Sequence, residues 1–173
     1  HILGRTGPIY AEEAQEYIIE KGYSYNAIIG KEGIEKAFEE YLRGIDGKES
    51  LEIDEKNNII GKSVVTQPKY GNSVRLTIDA GLQSVAEKAL EEQINAAMTQ
   101  GKSDNIEFNG EDCKAGSVVV MDPNNGQILV SASYPNYDMN TFSEKFNQLQ
   151  LNEGKPFVNR ATTGIYPPGS TFK

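Results

Sequence analysis

The sequence predicts an α+β fold: a small α+β part, then a long helix that packs on an antiparallel β-hairpin. Three observations predict it. Two early stretches repeat their apolar residues with the helical period of 3.6, and the next stretch alternates with the strand period of two. A long amphipathic stretch follows, and after it two apolar strands flank a turn. A helix laid on a hairpin buries one face of each element.

Two helices are predicted in the first 45 residues. One covers residues 11–20 and ends before Gly22, and the other covers residues 32–43 and ends at Gly44. In the second helix the apolar residues recur at i, i+3, i+4 and i+7, so one face is expected to be buried. The expected buried face comprises Ile34, Ala37, Phe38, Tyr41 and Leu42, and the expected outer face comprises Glu35, Glu39 and Glu40.

Short antiparallel strands are predicted next. Residues 49–53 alternate apolar and acidic side chains, residues 57–58 predict a turn, and residues 59–60 resume the apolar pattern. Residues 64–65 are assigned to a separate short strand, and residues 74–78 alternate once more. A domain boundary is expected near residues 71–73, where Gly and Asn interrupt the strands.

The long helix is predicted over residues 79–100, with Asp79 as its N-cap. Its expected buried stripe comprises Leu82, Val85, Ala86, Ala89, Leu90, Ile94 and Ala97. Residues 102–114 are polar and predict a mobile loop.

A hairpin is predicted from strands 117–121 and 127–133, joined by the turn 123–126. The residues expected to face the helix are Val118, Val120, Ile128 and Val130. A short helix over 143–150 with Ser143 as its cap is predicted after it, followed by the irregular segment 151–165.

Composition and charge exclude several classes of function. The chain has 173 residues, a formal net charge of −8 and a sequence pI of about 4.8, which argues against nucleic acid and polybasic membrane surfaces as partners. Cys113 is the only cysteine, so no disulfide can form within the chain. His1 is the only histidine and lies far from Cys113 in the sequence, so no transition-metal motif with the usual spacing is present. No cofactor or metal is expected. No apolar run approaches the roughly 20 residues of a membrane span.

The last eight residues carry the chemistry. A Pro-Pro-Gly turn precedes Ser170, and Lys173 follows it by three residues. Prolines favour a helix that begins only after them, and positions i and i+3 share a helix face. Ser170 Oγ and Lys173 Nζ would then converge as nucleophile and base.

These residues allow two other interpretations. Ser-x-x-Lys is short enough to occur by chance, and it then marks a helix start with a surface lysine. The segment 164–171 is also close to a phosphate-binding loop. There, however, serine stands where the phosphate-contacting lysine belongs, and the prolines remove amide donors.

Five stretches in order resemble class B penicillin-binding proteins, the cell-wall D,D-transpeptidases. They are Gly30-Lys-Glu-Gly-Ile-Glu-Lys-Ala-Phe-Glu-Glu-Tyr-Leu-Arg-Gly44, Val74-Arg-Leu-Thr-Ile-Asp-Ala-Gly-Leu-Gln83, Gly116-Ser-Val-Val-Val-Met-Asp-Pro123 with Gly126, Ser133-Tyr-Pro-Asn-Tyr-Asp138, and Asn159-Arg160-Ala161 through Tyr166-Pro-Pro-Gly-Ser-Thr-Phe-Lys173. The resemblance runs almost from end to end. The family's later S-x-N and K-T-G stretches do not follow Ser170 in this sequence.

The resemblance implies a fold, a reaction and roles for residues. It implies that residues 1–72 are part of the non-catalytic pedestal, or dimerisation-type, domain and that residues 73–173 are the N-terminal part of the transpeptidase domain. Ser170 is expected as nucleophile and Lys173 as base in acyl transfer on peptidoglycan stem peptides, and β-lactams are expected to acylate the same serine. Asn159, Arg160 and Tyr166 are expected to serve packing and turn geometry.

The resemblance also implies a setting. The parent protein is expected to be anchored by a helix upstream of His1 and to act on the extracytoplasmic face of the bacterial membrane. The 173-residue chain by itself is expected to be a catalytically incomplete fragment. The alternative function is a pedestal module that binds partner proteins of cell-wall synthesis.

Overall fold

The computed structural model describes residues 1–100 and 110–167, whose contacts divide into two compact units. One unit is Ile2–Arg75; the other begins at Leu76 and includes His1. Each unit combines helices with two-stranded antiparallel sheets, which confirms the predicted α+β class. None of the described helices is long and apolar enough to cross a membrane.

The unit Ile2–Arg75 is built around a small sheet. Strand β1 (Thr6–Pro8) pairs antiparallel with β2 (Ile28–Gly30), and Ile29 in β2 is fully buried. The helix predicted over 11–20 forms as two short pieces, a 3-10 turn at Ala11–Glu13 and a π-helical segment at Gln15–Glu20.

A buried lysine fixes the first of these turns. The Lys31 ammonium contacts the Glu13 carboxylate and lies 3.9 Å from the centre of the Tyr10 ring. The Tyr10 N–H also donates to the Glu13 carboxylate, at 2.9 Å. The hydrogen bond from Lys31, and secondly that from Tyr10, holds the pKa of Glu13 below its usual value. The carboxylate is therefore ionised at neutral pH and ties the turn to the end of β2.

The helix predicted over 32–43 is broken in the structure. It consists of α1 (Gly33–Ala37) and α2 (Glu39–Leu42), separated at Phe38. The prediction that Glu39 lies on the outer face is wrong, because its carboxylate is buried and accepts the Gly30 N–H at 2.6 Å. Phe38 and Tyr41, expected to be buried, are exposed. A buried backbone donor needs an acceptor, and an inward carboxylate supplies one at the break.

Strands β3 (Lys48–Ile53) and β4 (Ile59–Thr66) form a hairpin, which is the second two-stranded sheet of this unit. The Asp54 carboxylate accepts both the Lys56 and Asn58 backbone N–H groups at 2.8 Å, and Asn57 has a positive φ of 62°. These bonds confirm the predicted turn. The separate strand predicted at residues 64–65 is wrong, because β4 runs through them with bulges that absorb the irregular pattern.

The strand predicted over residues 74–78 belongs to none of the described sheets. Instead the Thr77 hydroxyl donates to the Ile128 carbonyl at 2.6 Å, and the Asp79 N–H donates to the Leu129 carbonyl at 3.0 Å. This segment thus lies along the edge of a strand without forming a ladder. Its alternating pattern is typical of a strand, but the bonds to that edge come partly from a side chain.

The long helix α3 (Ala80–Gln100) forms as predicted. The Asp79 carboxylate accepts the Leu82 N–H at 2.9 Å, which makes Asp79 the predicted N-cap. The helix packs on the hairpin of β5 (Gly116–Met121) and β6 (Ile128–Tyr134), confirming the predicted arrangement.

The core between α3 and the hairpin is narrower than the predicted stripe. Ile94 is 4% exposed and Val130 is 1% exposed, whereas Val85 on the same helix is 67% exposed. A Cβ built on Gly116 would lie 3.3 Å from Ile94 Cδ1, so β5 begins against this side chain. Leu82 and Val120 are also exposed, and Val118 and Ile128 are half-buried. The helix meets the hairpin over only part of its length.

The remaining predicted elements have mixed outcomes. Most of the predicted loop 102–114 lies outside the described residues, and its described end holds a 3-10 turn at Gly110–Asp112. Helix α4 (Phe142–Gln150) forms as predicted, but its N-cap is Thr141 rather than Ser143. A 3-10 turn at Met139–Thr141 precedes it, and the short helix α5 (Arg160–Thr163) follows in the segment expected to be irregular.

Candidate functional site

The predicted nucleophile and base, Ser170 and Lys173, lie outside the described residues. The structure describes the chain that leads to them, from the end of β6 to Pro167. The described residues of this segment support the chain that precedes the motif.

Ser133, the penultimate residue of β6, is the first part of that support. Its side chain is only 5% exposed, and its hydroxyl donates to Asn159 Oδ1 at 3.3 Å. The same hydroxyl accepts the Ala161 N–H at 3.2 Å. Strand β6 is thereby bonded to the first turn of α5.

Arg160 is the second part. Its guanidinium donates to the carbonyls of Gly154 at 2.6 Å, Lys155 at 3.2 Å and Val158 at 3.4 Å. A planar group with five donors can hold several carbonyls at once, and here it closes the loop that precedes α5. This agrees with the packing and turn-forming role expected for Arg160. Pro156, inside the same loop, is fully buried.

Gly164 ends α5 where no side chain fits. A Cβ built there would lie 2.4 Å from the Tyr166 ring and 2.5 Å from the Arg160 carbonyl oxygen. The turn therefore brings the Tyr166 ring against the backbone, as expected for a residue that shapes the turn. Ile165, between them, is 97% exposed.

An aromatic cluster surrounds Phe157, which lies in the loop between α4 and α5. The Phe157 ring lies 5.4 Å from Tyr137, 5.6 Å from Phe142 and 5.7 Å from Phe146, centroid to centroid. The three pairs are edge-on, tilted and stacked in turn, and aromatic rings in such arrangements attract one another beyond the area that they bury. Sequence reasoning missed the cluster because its members come from three separate segments.

A side chain also closes the free edge of β6. Gln83 on α3 accepts the Ser131 N–H at 2.9 Å and donates to the Ser131 carbonyl at 3.1 Å. Two bonds from one amide replace a missing neighbour strand at that position. No periodicity signals this role, since polar residues on a helix are ordinarily expected in solvent.

The three polar side chains described above, those of Ser133, Asn159 and Arg160, are engaged in hydrogen bonds within the fold. The partners of these three side chains are backbone groups or each other. Across the described residues, no group of three or more His, Cys, Asp or Glu side chains could hold a metal ion.

A second candidate surface lies in the unit Ile2–Arg75. The hairpin β3–β4 exposes six large aliphatic side chains: Leu51, Ile53, Ile59, Ile60, Val64 and Val65. By register, Leu51 lies opposite Lys62, and Glu49 lies opposite Val64. The two-stranded sheet has no third strand among the described residues. Six exposed aliphatic side chains on one short hairpin make it a candidate surface for contact with another protein.

Two family models match the chain. One, described as the penicillin-binding protein dimerisation domain, matches residues 1–76. The other, described as the penicillin binding protein transpeptidase domain, matches residues 116–173, which include Ser170 and Lys173.

A curated relative covers the whole chain. The peptidoglycan D,D-transpeptidase MrdA of Acinetobacter baumannii is 34% identical over 179 residues, 100% of this chain and 23% of that protein. The chain spans about a quarter of the length of the curated relatives that it matches.

Solved structures of penicillin-binding proteins are also similar to this chain. One, from work on the structural coordination of polymerization and crosslinking by a peptidoglycan synthase complex, has a TM-score of 0.71 and 32% identity. The match covers 92% of this chain and 27% of the chain in that structure. Another, the complex between penicillin-binding protein PBP2 and MreC from Helicobacter pylori, has a TM-score of 0.66 and 28% identity, covering 100% of this chain and 29% of its own.

Proposed function

Because this chain belongs to the class B penicillin-binding protein family, we propose that the natural protein containing it is a peptidoglycan D,D-transpeptidase. The observation that carries the proposal is Ser170-x-x-Lys173 inside the region that matches the transpeptidase family model. The backbone that precedes this motif is held by hydrogen bonds from the Arg160 guanidinium and to the Ser133 hydroxyl.

The proposed reaction is acyl transfer in two steps. Ser170 Oγ attacks the carbonyl of the penultimate D-alanine of a stem peptide, and Lys173 Nζ takes the hydroxyl proton. The C–N bond to the terminal D-alanine breaks, and that amine leaves with a proton. The amine of a second stem peptide then attacks the ester, forms the cross-link and frees Ser170. The Ser170 N–H serves as one donor to the oxyanion. A β-lactam undergoes the first step only, which leaves Ser170 acylated.

We also propose the division of labour along the chain. Residues 1–72 form part of the pedestal, and residues 73–173 form the N-terminal part of the transpeptidase domain. The contact boundary between Arg75 and Leu76 and the limits of the two family models support this division. The natural protein is proposed to act on the extracytoplasmic face of the membrane, held by an anchor that precedes His1.

The test is acylation of the whole natural protein by a fluorescent penicillin, followed by peptide mapping. Stoichiometric label is expected on the peptide that contains Ser170. Ser170→Ala should abolish it, because no other oxygen takes the nucleophile's place. Ser143→Ala, at an exposed serine on α4, is the matched control and should label normally. Label that is absent from Ser170 in the natural protein would refute the transpeptidase proposal.

The exposed hairpin favours a second candidate, a module that binds a partner protein of cell-wall synthesis. Its support is the aliphatic surface of β3–β4 defined above, together with the partner named for the Helicobacter pylori relative. The partner proposed is the MreC protein of the same source organism as this chain.

Binding of MreC to the whole natural protein, measured by calorimetry, tests this role. Ile60→Asp and Val65→Asp each replace an exposed aliphatic side chain of the hairpin with a charge, and each is expected to weaken binding at least about tenfold if its position lies in the interface, because the carboxylate loses water there. Both residues are exposed, so the fold should persist. Lys56→Asp, in the adjoining turn, is the control. Unchanged affinity of both apolar variants would show that this surface binds no MreC.

A further inference from the structure

Ser133 has an unusual place for a serine on a strand. It is nearly fully buried, and both bonds of its hydroxyl cross to residues 26 and 28 positions further along the chain. The hydroxyl acts once as a donor and once as an acceptor, each time toward a different atom of α5 and its cap. The side chain therefore connects two elements that no backbone ladder joins among the described residues.

The bond to Ala161 replaces an ordinary helix cap. The first N–H groups of a helix have no partner inside it and need an acceptor from outside. Asn159 occupies the N-cap position of α5, but its own side chain does not accept one of these N–H groups. The Ser133 hydroxyl accepts the Ala161 N–H instead. The start of α5 is thus positioned by β6 rather than by its own cap.

The end of α5 and the turn after it are held just as closely. The Thr163 N–H and hydroxyl both donate to the Asn159 carbonyl, at 2.9 Å and 2.7 Å. Gly164 admits no side chain against the Tyr166 ring and the Arg160 carbonyl. A displacement of the start of α5 would therefore be passed along the chain to Tyr166, four residues before Ser170 in the sequence.

We propose that Ser133 is a positioning residue for acylation: its hydroxyl fixes Asn159 and Ala161, and with them the course of the chain up to Tyr166, on which the rate of acylation at Ser170 depends. This inference rests on the proposed transpeptidase function. Ser133 itself does not touch the substrate, and it acts through Asn159 and Ala161. Small displacements of a nucleophile from its attack geometry cost about tenfold to a hundredfold in rate.

The experiment compares acylation rate constants in the whole natural protein. Ser133→Ala, Asn159→Ala and the double variant are mixed with a fluorescent penicillin in a stopped-flow instrument, and the rate is expressed per folded molecule. Ser133→Ala is expected to lower the acylation rate constant about tenfold or more, while the affinity for unreacted penicillin changes less than about threefold. The double variant should be no slower than Ser133→Ala, because both changes remove the same contact.

Ser131→Ala is the matched control. Ser131 lies on the same strand and the same face, and its bonds to Gln83 are made by its backbone rather than its hydroxyl. Its acylation should equal that of the wild type. If Ser133→Ala does not fold, Ser133→Cys decides, since a thiol keeps a donor and acceptor at this position but is larger and bonds more weakly, so it should give an intermediate rate.

A purely structural role predicts a different pattern. It would lower the melting temperature of Ser133→Ala and leave the rate constant of the folded protein at the wild-type value, and that result would overturn the inference. Multiplicative effects of Ser133→Ala and Asn159→Ala would overturn it too. A wild-type protein that is not labelled at Ser170 would instead refute the proposed function, so the two failures are distinguishable.

Discussion

The 173-residue chain by itself is expected to react with a fluorescent penicillin at least about a hundredfold more slowly than the whole natural protein, although it contains both Ser170 and Lys173. Two groups that the family resemblance implies are missing from residues 1–173. One is the second hydrogen-bond donor to the oxyanion. In the family, that donor lies on a strand that follows the position matched by Lys173. Loss of one such donor costs roughly a hundredfold to a thousandfold in rate.

The second missing group is a cation beside the base. A free lysine has a pKa of about 10.4 and is protonated at neutral pH, so it cannot accept the serine proton. A neighbouring cation or removal from water lowers the pKa of a lysine. The family supplies that cation from K-T-G, which does not follow Ser170 in this sequence.

Intact-mass analysis of both proteins after the same exposure gives the measurement. We expect full labelling of the whole protein and almost none of the 173-residue chain in the same time. Ser170→Ala in each protein sets the background. Stoichiometric labelling of the shorter chain at Ser170 within minutes would show that residues 1–173 are sufficient for acylation, contrary to the expectation.

Ile94→Ala is expected to destabilise the unit that begins at Leu76 by about 2–4 kcal/mol. Ile94 is the most buried side chain described on α3 and lies against the start of β5 at Gly116. Truncation loses the transfer free energy of the removed carbons and leaves a cavity between helix and hairpin. Neighbouring elements relax only partly around such a cavity, because protein interiors are close-packed.

Val85→Ala is the matched control on the same helix. Its side chain is 67% exposed, so the same kind of truncation should change the free energy of unfolding by less than about 0.5 kcal/mol. Urea unfolding followed by circular dichroism at 222 nm reports on α3, the longest described helix. Equal losses at the two positions would contradict the packing described for α3.

The sequence by itself determined the elements whose signals are local. Helix α3 with its Asp79 cap, the hairpin β5–β6 and the turn before Asn58 all arise from period, cap and turn chemistry between residues a few positions apart. The resemblance, carried by ordered motifs, likewise pointed to the family that the comparisons show. Ser170 and Lys173 stay predictions of the motif.

Only the tertiary structure decided which polar side chains turn inward. Glu39 fits the solvent face of a helix by its spacing, yet the buried N–H of Gly30 draws its carboxylate into the unit. Ser133 resembles any other residue of a strand, yet it caps a helix 28 positions away. Amphipathic periodicity reports only which side chains prefer water. A buried N–H also needs an acceptor, and which side chain supplies it is decided only when distant segments of the chain meet. For that reason only the folded chain reveals the hydrogen bonds of Ser133 and Arg160 that hold the segment before Ser170.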